Sequence, residues 1–307
     1  MSRLFIGCLF LAACGSSSTT GDDDTDGVAT GDLLGTFQIE LVEPANDTAG
    51  FTAVLGKVFD GTQPETVIWT DAMSAGGCTL KTPSVPFCST PCGSAAACVA
   101  DDTCQAYPAS QAVGTVTIDG VADSAVTLTS VQNSYQLPAG TTLAYPAFAE
   151  GDTLRLHASG SEFTSGFTST AFAIAPLALT SPSFALVEGQ PLLLAWTPSG
   201  AAAIAVKLDI SHHGGSKGKV ECTLDDSGAS EIASPIVDQL LALGAAGFPT
   251  IIVTRVSTGH AQVADGHIDL LVTSELEQPI DVPGVISCTD DGDCEAPTTC
   301  QDDLTCR

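Results

Sequence analysis

The amino-acid sequence predicts an all-β protein, with two β-sandwich domains, one short helix and two small disulfide-rich modules. Short runs rich in Val, Ile and Thr recur along the chain, and Gly, Pro and Asp separate them, which is typical of strands joined by turns. Apolar and polar residues alternate within these runs, so each strand is expected to bury one face and expose the other. One segment has the end signals and the spacing of a helix.

The amino-terminal residues have the three-part layout of a secretory signal. Arg3 precedes an apolar run over residues 4–11, and two alanines then lead to Cys14. The run is too short to span a bilayer. This arrangement resembles the lipobox of bacterial lipoproteins, and the resemblance implies that residues 1–13 are removed and that Cys14 carries a lipid. The alternatives are an ordinary signal peptide with a chance cysteine, or a short buried helix.

Residues 14–32 are predicted to be a flexible tether, because they consist mainly of Gly, Ser, Thr and Asp. In the lipoprotein family, an aspartate directly after the lipidated cysteine often retains the protein in the inner membrane. Gly15 stands at that position, so the resemblance implies an outer-membrane location with membrane lipid as the partner of the acyl anchor. The acidic residues within 22–26 fit a spacer or a surface-display signal. Both the periplasmic and the cell-surface side therefore stay open.

The charge of the chain excludes one class of partner. The 307 residues include 36 acidic and 9 basic side chains, and the net charge is −27. Such a surface repels phosphate backbones, so nucleic-acid binding is not expected.

Residues 33–175 are predicted to form the first β-rich domain, with a cysteine-rich insert over 78–104. In its first strand Phe37, Ile39 and Leu41 alternate with polar residues. Further strands are expected at 51–59, 67–70, 114–118, 125–129, 153–157 and 171–174.

Residues 176–286 are predicted to form a second β-sandwich. Its strands are expected at 184–187, 191–196, 204–211, 219–224, 250–256 and 267–273. This set resembles an immunoglobulin-like or fibronectin-like sandwich, with Trp196 as the expected core tryptophan. The resemblance concerns architecture alone and implies no function. Between the strands expected at 219–224 and 250–256, Ser234 is a candidate helix cap, Pro235 suits the first turn and Gly244 ends the helix.

An internal repeat supplies most of the cysteines. The spacing of Cys92, Cys98 and Cys104 recurs in Cys294, Cys300 and Cys306, and an Asp-Asp pair precedes each last cysteine. With Cys88 and Cys288 upstream, this makes two four-cysteine modules, the second over 287–307. Modules of this size cannot fold around an apolar core, so disulfide bonds must hold them together. Twelve cysteines in the chain also suit an oxidising compartment.

Four cysteines allow three pairings, and the spacing does not choose among them. We favour the first with the third and the second with the fourth. The proposed bonds are Cys88–Cys98, Cys92–Cys104, Cys288–Cys300 and Cys294–Cys306. Cys78 and Cys222 are then left over. They either join each other or leave Cys222 as a buried thiol.

One segment matches a catalytic motif. Residues 214–218 read Gly-Gly-Ser-Lys-Gly, the Gly-x-Ser-x-Gly pattern of serine hydrolases, with Ser216 as the nucleophile. That motif needs a helix after the serine, whereas a strand is expected at 219–224. A glycine-rich hairpin turn therefore explains the residues better.

No metal site and no cofactor are predicted. The cysteines lack the close Cys-x-x-Cys spacing of zinc sites. His212 and His213 are adjacent, and adjacent residues on a strand point to opposite faces, so these two cannot readily share a metal unless the turn bends them together. The remaining histidines are His157, His260 and His267, and no His-Glu-x-x-His motif is present. Weak calcium binding is an alternative to a solvated turn at Asp290, Asp291 and Asp293 and at Asp225 and Asp226, although the spaced acids and distal glutamate of a calcium loop are missing from both stretches.

These observations predict a membrane-anchored envelope lipoprotein that acts as a non-enzymatic binding or structural module for an envelope protein or a glycan. The arrangement of lipobox, tether, β-rich domains and short cysteine modules resembles uncharacterised lipoproteins of Gram-negative bacteria. That resemblance carries no catalytic residues. The alternative is an envelope serine hydrolase that uses Ser216.

Overall fold

The computed structural model describes residues 29–45, 48–200, 202–215 and 217–307. Over these ranges the protein is built from strands with one short α-helix, which confirms the predicted all-β fold class. The strands of the first half are β1 (Asp32–Val42), β2 (Phe51–Phe59), β3 (Ile68–Ala75), β4 (Cys78–Ser84), β5 (Ala96–Ala100), β6 (Thr103–Ala106), β7 (Ser110–Gln111), β8 (Val116–Asp119), β9 (Val126–Thr127), β10 (Thr129–Val131), β11 (Ser134–Gln136), β12 (Thr153–Gly160) and β13 (Ser165–Phe172). The second half contains β14 (Phe184–Ala185), β15 (Leu192–Ala195), β16 (Ala203–Asp209), β17 (Lys219–Asp225), β18 (Ala229–Ile232), helix α1 (Ser234–Ala242), β19 (Thr250–Val263), β20 (Gly266–Asp281) and a 3-10 turn at Asp291–Asp293.

One large sheet organises the molecule. It has twelve strands, with the main order β10-β11-β2-β1-β20-β19-β16-β17-β4-β3, while β14 pairs with β20 and β7 with β2. The first strand, β1, lies parallel to the last, β20, and β4 pairs antiparallel with β17. The segments 33–175 and 176–286 thus hydrogen-bond to each other at two places and share this sheet. No local pattern shows such pairing, because the partners are far apart in the chain.

Two apolar cores lie on the inner side of this sheet. The first core lies between β1 and β2 and a second sheet of order β13-β12-β8-β9, and it includes Phe37, Ile118 and Leu156. The second core lies under β16, β17 and β4. Helix α1 covers it with Ile236 and Val237, and the predicted core residue Trp196 is buried there. The alternating burial of these strands matches the alternation in the sequence.

Strands β19 and β20 are long enough to reach both cores. On β19, Ala261 lies in the first core and Val253 in the second. Between them, Arg255 is buried opposite Ser274 of β20. The two cores therefore meet at a polar boundary that contains Arg255 and Ser274, which we call the seam, and not along a continuous apolar layer.

Arg255 is the centre of this seam. Its Nε donates to Asp226 Oδ2 at 2.7 Å, and its Nη1 donates to the carbonyl oxygens of Ala175 and Pro176 at 3.1 and 2.9 Å. Its Nη2 donates to the carbonyl of Thr197. The side chains of Arg255 and Asp226 are only 1% and 2% exposed. This buried and fully paired charge links the chain segments that surround the two cores.

Gly259 allows a close crossing of strands at the edge of the first core. Strand β13 packs across β19 at this point, and a Cβ atom on Gly259 would overlap the carbonyl oxygen of Thr170. A residue with a side chain would push the two sheets apart.

Helix α1 begins differently from the sequence expectation. The predicted cap, Ser234, is the first helical residue, and Ala233 stands at the N-cap without a side-chain hydrogen bond. The capping prediction was therefore wrong, and Pro235 in the first turn is the signal that holds. Gly244 follows the helix with a φ of 82°, as expected for a glycine that ends one. Among the described residues no helix is both long and apolar enough to cross a bilayer.

Candidate binding face

The ten cysteines among the described residues form five disulfide bonds. In the small modules the partners are Cys88–Cys98, Cys92–Cys104, Cys288–Cys300 and Cys294–Cys306, the pairings that we favour from the sequence. Cys78 is bonded to Cys222, and their Cα atoms are 4.0 Å apart on the neighbouring strands β4 and β17. Cys78 thus belongs to the large sheet, and the predicted insert over 78–104 contributes its first strand to that sheet.

The two cysteine modules have similar backbone conformations. In each, the third and fourth cysteines stand opposite each other in a short antiparallel pair. The turns between them contain Asp102 and Leu304 at the aligned position, with φ values of 55° and 57°. The sequence repeat is therefore a structural repeat.

Aspartates brace these modules through hydrogen bonds. Asp102 accepts from the backbone N–H and the hydroxyl of Ser89, and these bonds lower the pKa of its carboxyl. In the second module Asp293 accepts from the N–H and the hydroxyl of Thr289, which lower its pKa. Asp290 Oδ1 accepts from Gly292 N–H, and Asp291 Oδ1 accepts from Cys300 N–H. The three carboxylates of this module that were considered for calcium thus have internal partners, and Asp226 of the other stretch is paired with Arg255.

Ser216 and Cys14 lie outside the described residues. The described residues around Ser216 join β16 to β17, which pair antiparallel, so the segment is a hairpin connection followed by a strand. His212 and His213 lie in this connection with ring centroids 3.9 Å apart. The turn thus brings the two rings together, which is the exception considered from the sequence, because these residues lie where the chain turns and not on a strand.

The outer side of the large sheet presents a broad solvent-facing surface, which we call the open face. It comprises the outward side chains of β2, β1, β20 and β19, namely Lys57, Thr36, Asp269 and His260 in one row and Leu55, Gln38, Leu271 and Thr258 in the next. These side chains are exposed or half-buried, whereas the alternate residues of the same strands are buried in the first core. This side of the four strands is therefore accessible to a ligand.

A cluster of two histidines and one aspartate lies on the open face. His260 and Asp269 are cross-strand partners in the β19–β20 hairpin, and His260 Nδ1 is 2.7 Å from Asp269 Oδ1. His267 lies two residues before Asp269 on the same side of β20, with its Nε2 3.7 Å from the same oxygen. Spacing in the sequence alone does not bring the two histidines together. The Asp-Gly step at Asp265 and Gly266, between two alternating runs, is a hairpin signal. It would not have predicted this register, because a turn centred on it pairs Ala264 with His267, whereas the structure pairs Val263 with Gly266.

Two glutamates lie further along the same face. Glu40 of β1 pairs in register with Thr273, two residues before Glu275 on β20. Burial, followed by the negative charge of Glu275, raises the pKa of Glu40 above its ordinary value of 4.5. At the end of β1, burial and then the neighbouring charge of Glu43 raise the pKa of Tyr145 to about 12.

The raised pKa of Glu40 predicts a pH-dependent effect of its replacement. A raised pKa means that the folded state holds the proton more tightly, so ionised Glu40 costs stability above that pKa. The cost disappears below 4.5, where folded and unfolded chains are both protonated. We expect Glu40→Gln to raise the melting temperature at pH 7 by no more than about 2 °C, because solvent screens this half-exposed group.

The measurement is a series of thermal melts from pH 7 down to pH 4. The gain from Glu40→Gln should shrink as the pH falls, while Glu188→Gln, at an exposed turn, serves as the control. A gain that persists unchanged at low pH would contradict the assignment.

An open groove borders this face. It has a volume of about 630 Å³ and lies between β2 and the segment 136–142. Phe51 and Leu55 line it and are 39% and 57% exposed. Because Leu55 belongs to both the groove and the open face, the two form one continuous surface.

The fold and the cysteine bonds define the chain as an all-β, disulfide-cross-linked protein with one uncovered sheet face. No protein-family model matches the chain, and no curated protein gives a match.

Proposed function

We propose that the chain is a lipoprotein of the Gram-negative outer membrane, anchored by acyl groups on Cys14, and that its body is a non-enzymatic binding module of the cell envelope. The open face with its adjoining groove is the observation that carries the binding role. It combines exposed apolar side chains such as Leu55 with polar ones such as His260, the mixture typical of protein interfaces. Five disulfide bonds suit an oxidising envelope compartment.

The charge of the chain narrows the class of ligand. A net charge of −27 repels other polyanions and attracts neutral or basic surfaces. An envelope protein with a neutral or basic surface is therefore the favoured partner, and a neutral glycan is the alternative outcome of the test below.

The anchor is tested by replacing Cys14. Wild-type protein expressed in a Gram-negative host should fractionate with membranes, lack residues 1–13 and carry acyl mass at its amino terminus. Cys14→Ala should abolish the lipid mass and move the protein to the soluble fraction or leave its signal uncleaved. Cys8→Ala, in the same apolar segment, is the matched control and should remain anchored. Full-length, unlipidated wild-type protein would refute the anchor.

The binding face is tested by site-specific photo-crosslinking in intact cells. A photoreactive residue at Leu55 should give a discrete adduct, and mass spectrometry then identifies the partner as protein or glycan. Leu193 on β15 is the control, because it is 64% exposed but lies away from the open face. Identical products from both positions, or none from Leu55, would count against the face as the binding surface.

The non-enzymatic role has its own test. A fluorophosphonate probe reacts with activated serines, and we expect no labelling of Ser216, because a strand follows this hairpin where the hydrolase motif needs a helix. Labelling at Ser216 would favour the hydrolase instead.

A further inference from the structure

We propose that His260, His267 and Asp269 bind one divalent transition-metal ion of the kind that prefers imidazole ligands, with Zn²⁺ as the probe. One ligand atom from each of the three side chains lies within 4.8 Å of the others. All three project from the same side of a single hairpin, whose backbone register holds them together. The site does not depend on the lipid anchor or on the partner proposed above.

The observed spacing is close to that of a bound metal. Zinc bonds to histidine nitrogen and carboxylate oxygen at about 2.1 Å, so tetrahedral ligands are separated by about 3.4 Å. His260 Nδ1 and His267 Nε2 lie 2.7 and 3.7 Å from Asp269 Oδ1. Each distance to Asp269 needs to change by less than about 1 Å to reach the tetrahedral value, a shift that side-chain rotation supplies without moving the strands.

His267 provides a second, independent observation. Its side chain is 14% exposed, and its Nδ1 atom is enclosed without a hydrogen-bond partner among the described residues. Its Nε2 atom is 3.7 Å from Asp269, beyond hydrogen-bond distance. Enclosed polar atoms are almost always paired, so this imidazole is not held in place by protein hydrogen bonds. Its Nε2 atom, the nitrogen that faces Asp269, is therefore available to bind a metal ion placed between His267 and Asp269.

The ligand set selects the metal class. Two imidazoles and one carboxylate favour Zn²⁺ and related transition metals over Ca²⁺ and Mg²⁺, which prefer oxygen ligands alone. His260 is 36% exposed, so the fourth coordination position faces solvent, where it accepts water or a group from a partner. The acidic chain also raises the local concentration of cations.

Hydrogen bonds of the Gln262 side chain fix the end of the hairpin next to this site. Gln262, which pairs in register with His267, accepts hydrogen bonds from the N–H and hydroxyl of Thr30 and donates to the carbonyl of Gly266 at 2.6 Å. These bonds fix the strand ends that carry the ligands, so little ordering is needed on binding.

The test is isothermal titration of Zn²⁺ into the full chain, followed by titration of His260→Gln and Asp269→Asn. We expect one site per chain in the wild type and at least tenfold weaker binding in each variant. The His212→Gln/His213→Gln double variant is the matched control, because it removes another close histidine pair and should bind as the wild type does. His260 is half-exposed, so its variant should fold, and a thermal melt without metal checks this.

Cobalt gives a second readout. Co²⁺ in a tetrahedral nitrogen and oxygen site absorbs strongly in the visible range, whereas Co²⁺ on scattered surface carboxylates absorbs weakly. Strong bands that disappear in His260→Gln would support the site. Binding of equal strength in the wild type and in His260→Gln, or weak bands throughout, would show adventitious binding to the acidic surface and overturn the proposal.

Discussion

Replacing Arg255 with methionine is expected to lower the free energy of unfolding by about 3–5 kcal/mol, the usual cost of breaking a buried ion pair from one side. The change leaves the Asp226 carboxylate, 2% exposed, without its positive partner. It also removes the donors for the carbonyl oxygens of Ala175, Pro176 and Thr197. Methionine fills much of the space, so the loss comes mainly from unpaired polar groups and not from a cavity.

The measurement is equilibrium unfolding in urea with all disulfides intact. Arg155→Met is the matched control, because Arg155 lies on an exposed position of β12 and its replacement should change stability by less than about 0.5 kcal/mol. If Arg255→Met were no more destabilising than Arg155→Met, the seam would not hold the cores together. The same experiment shows whether the two cores still unfold in a single transition once Arg255 is gone.

The second large effect is expected at the Cys78–Cys222 bond. It links residues separated by 144 positions, and closing a loop of that length restricts the unfolded chain by about 5 kcal/mol in the chain-entropy model. Removing it with Cys78→Val/Cys222→Val should therefore destabilise the protein by roughly 2–5 kcal/mol. Valine is the suitable replacement because both positions are buried in the second core.

The control is removal of a short-range bond. Cys88 and Cys98 are separated by only 10 positions, so Cys88→Val/Cys98→Val should cost about 3 kcal/mol or less and disturb mainly its own module. Urea unfolding that monitors the buried Trp196 reports on the second core. Equal effects of the two double variants on that signal would contradict the role of Cys78–Cys222 as the long-range tie.

Most strands could be predicted from the sequence, because the alternation of residues within a short segment indicates which face of a strand is buried. Ile204, Val206 and Leu208 alternate with the smaller Ala205 and the charged Lys207, and the structure buries all three large apolar residues. The cysteine repeat was equally visible, because identical spacing reflects an identical small fold. The start of α1 was not, because Ser234 fits a cap and a first helical residue equally well.

The candidate site was harder to predict. Histidines that are adjacent in the chain, such as His212 and His213, are visible in the sequence as a candidate metal site. The pairing of His260 with Asp269 is not visible in this way. The latter pair meets through hairpin register, which places residues nine positions apart side by side. His267 joins them only because alternate residues of a strand share a face.

The sequence by itself determined the strand-rich character of the chain, its two cysteine modules and its strongly acidic surface. These properties follow from local periodicity, spacing and composition. Only the tertiary structure decided that β1 pairs with β20, that β4 pairs with β17, and that Arg255 lies between two cores. The two strand pairings join segments more than 100 residues apart, and the hydrogen bonds of Arg255 join residues 29 to 80 positions apart. Many alternative pairings of apolar strands bury similar area. The choice among them depends on all strand pairings, buried charges and disulfide bonds together. No single stretch of sequence contains that information.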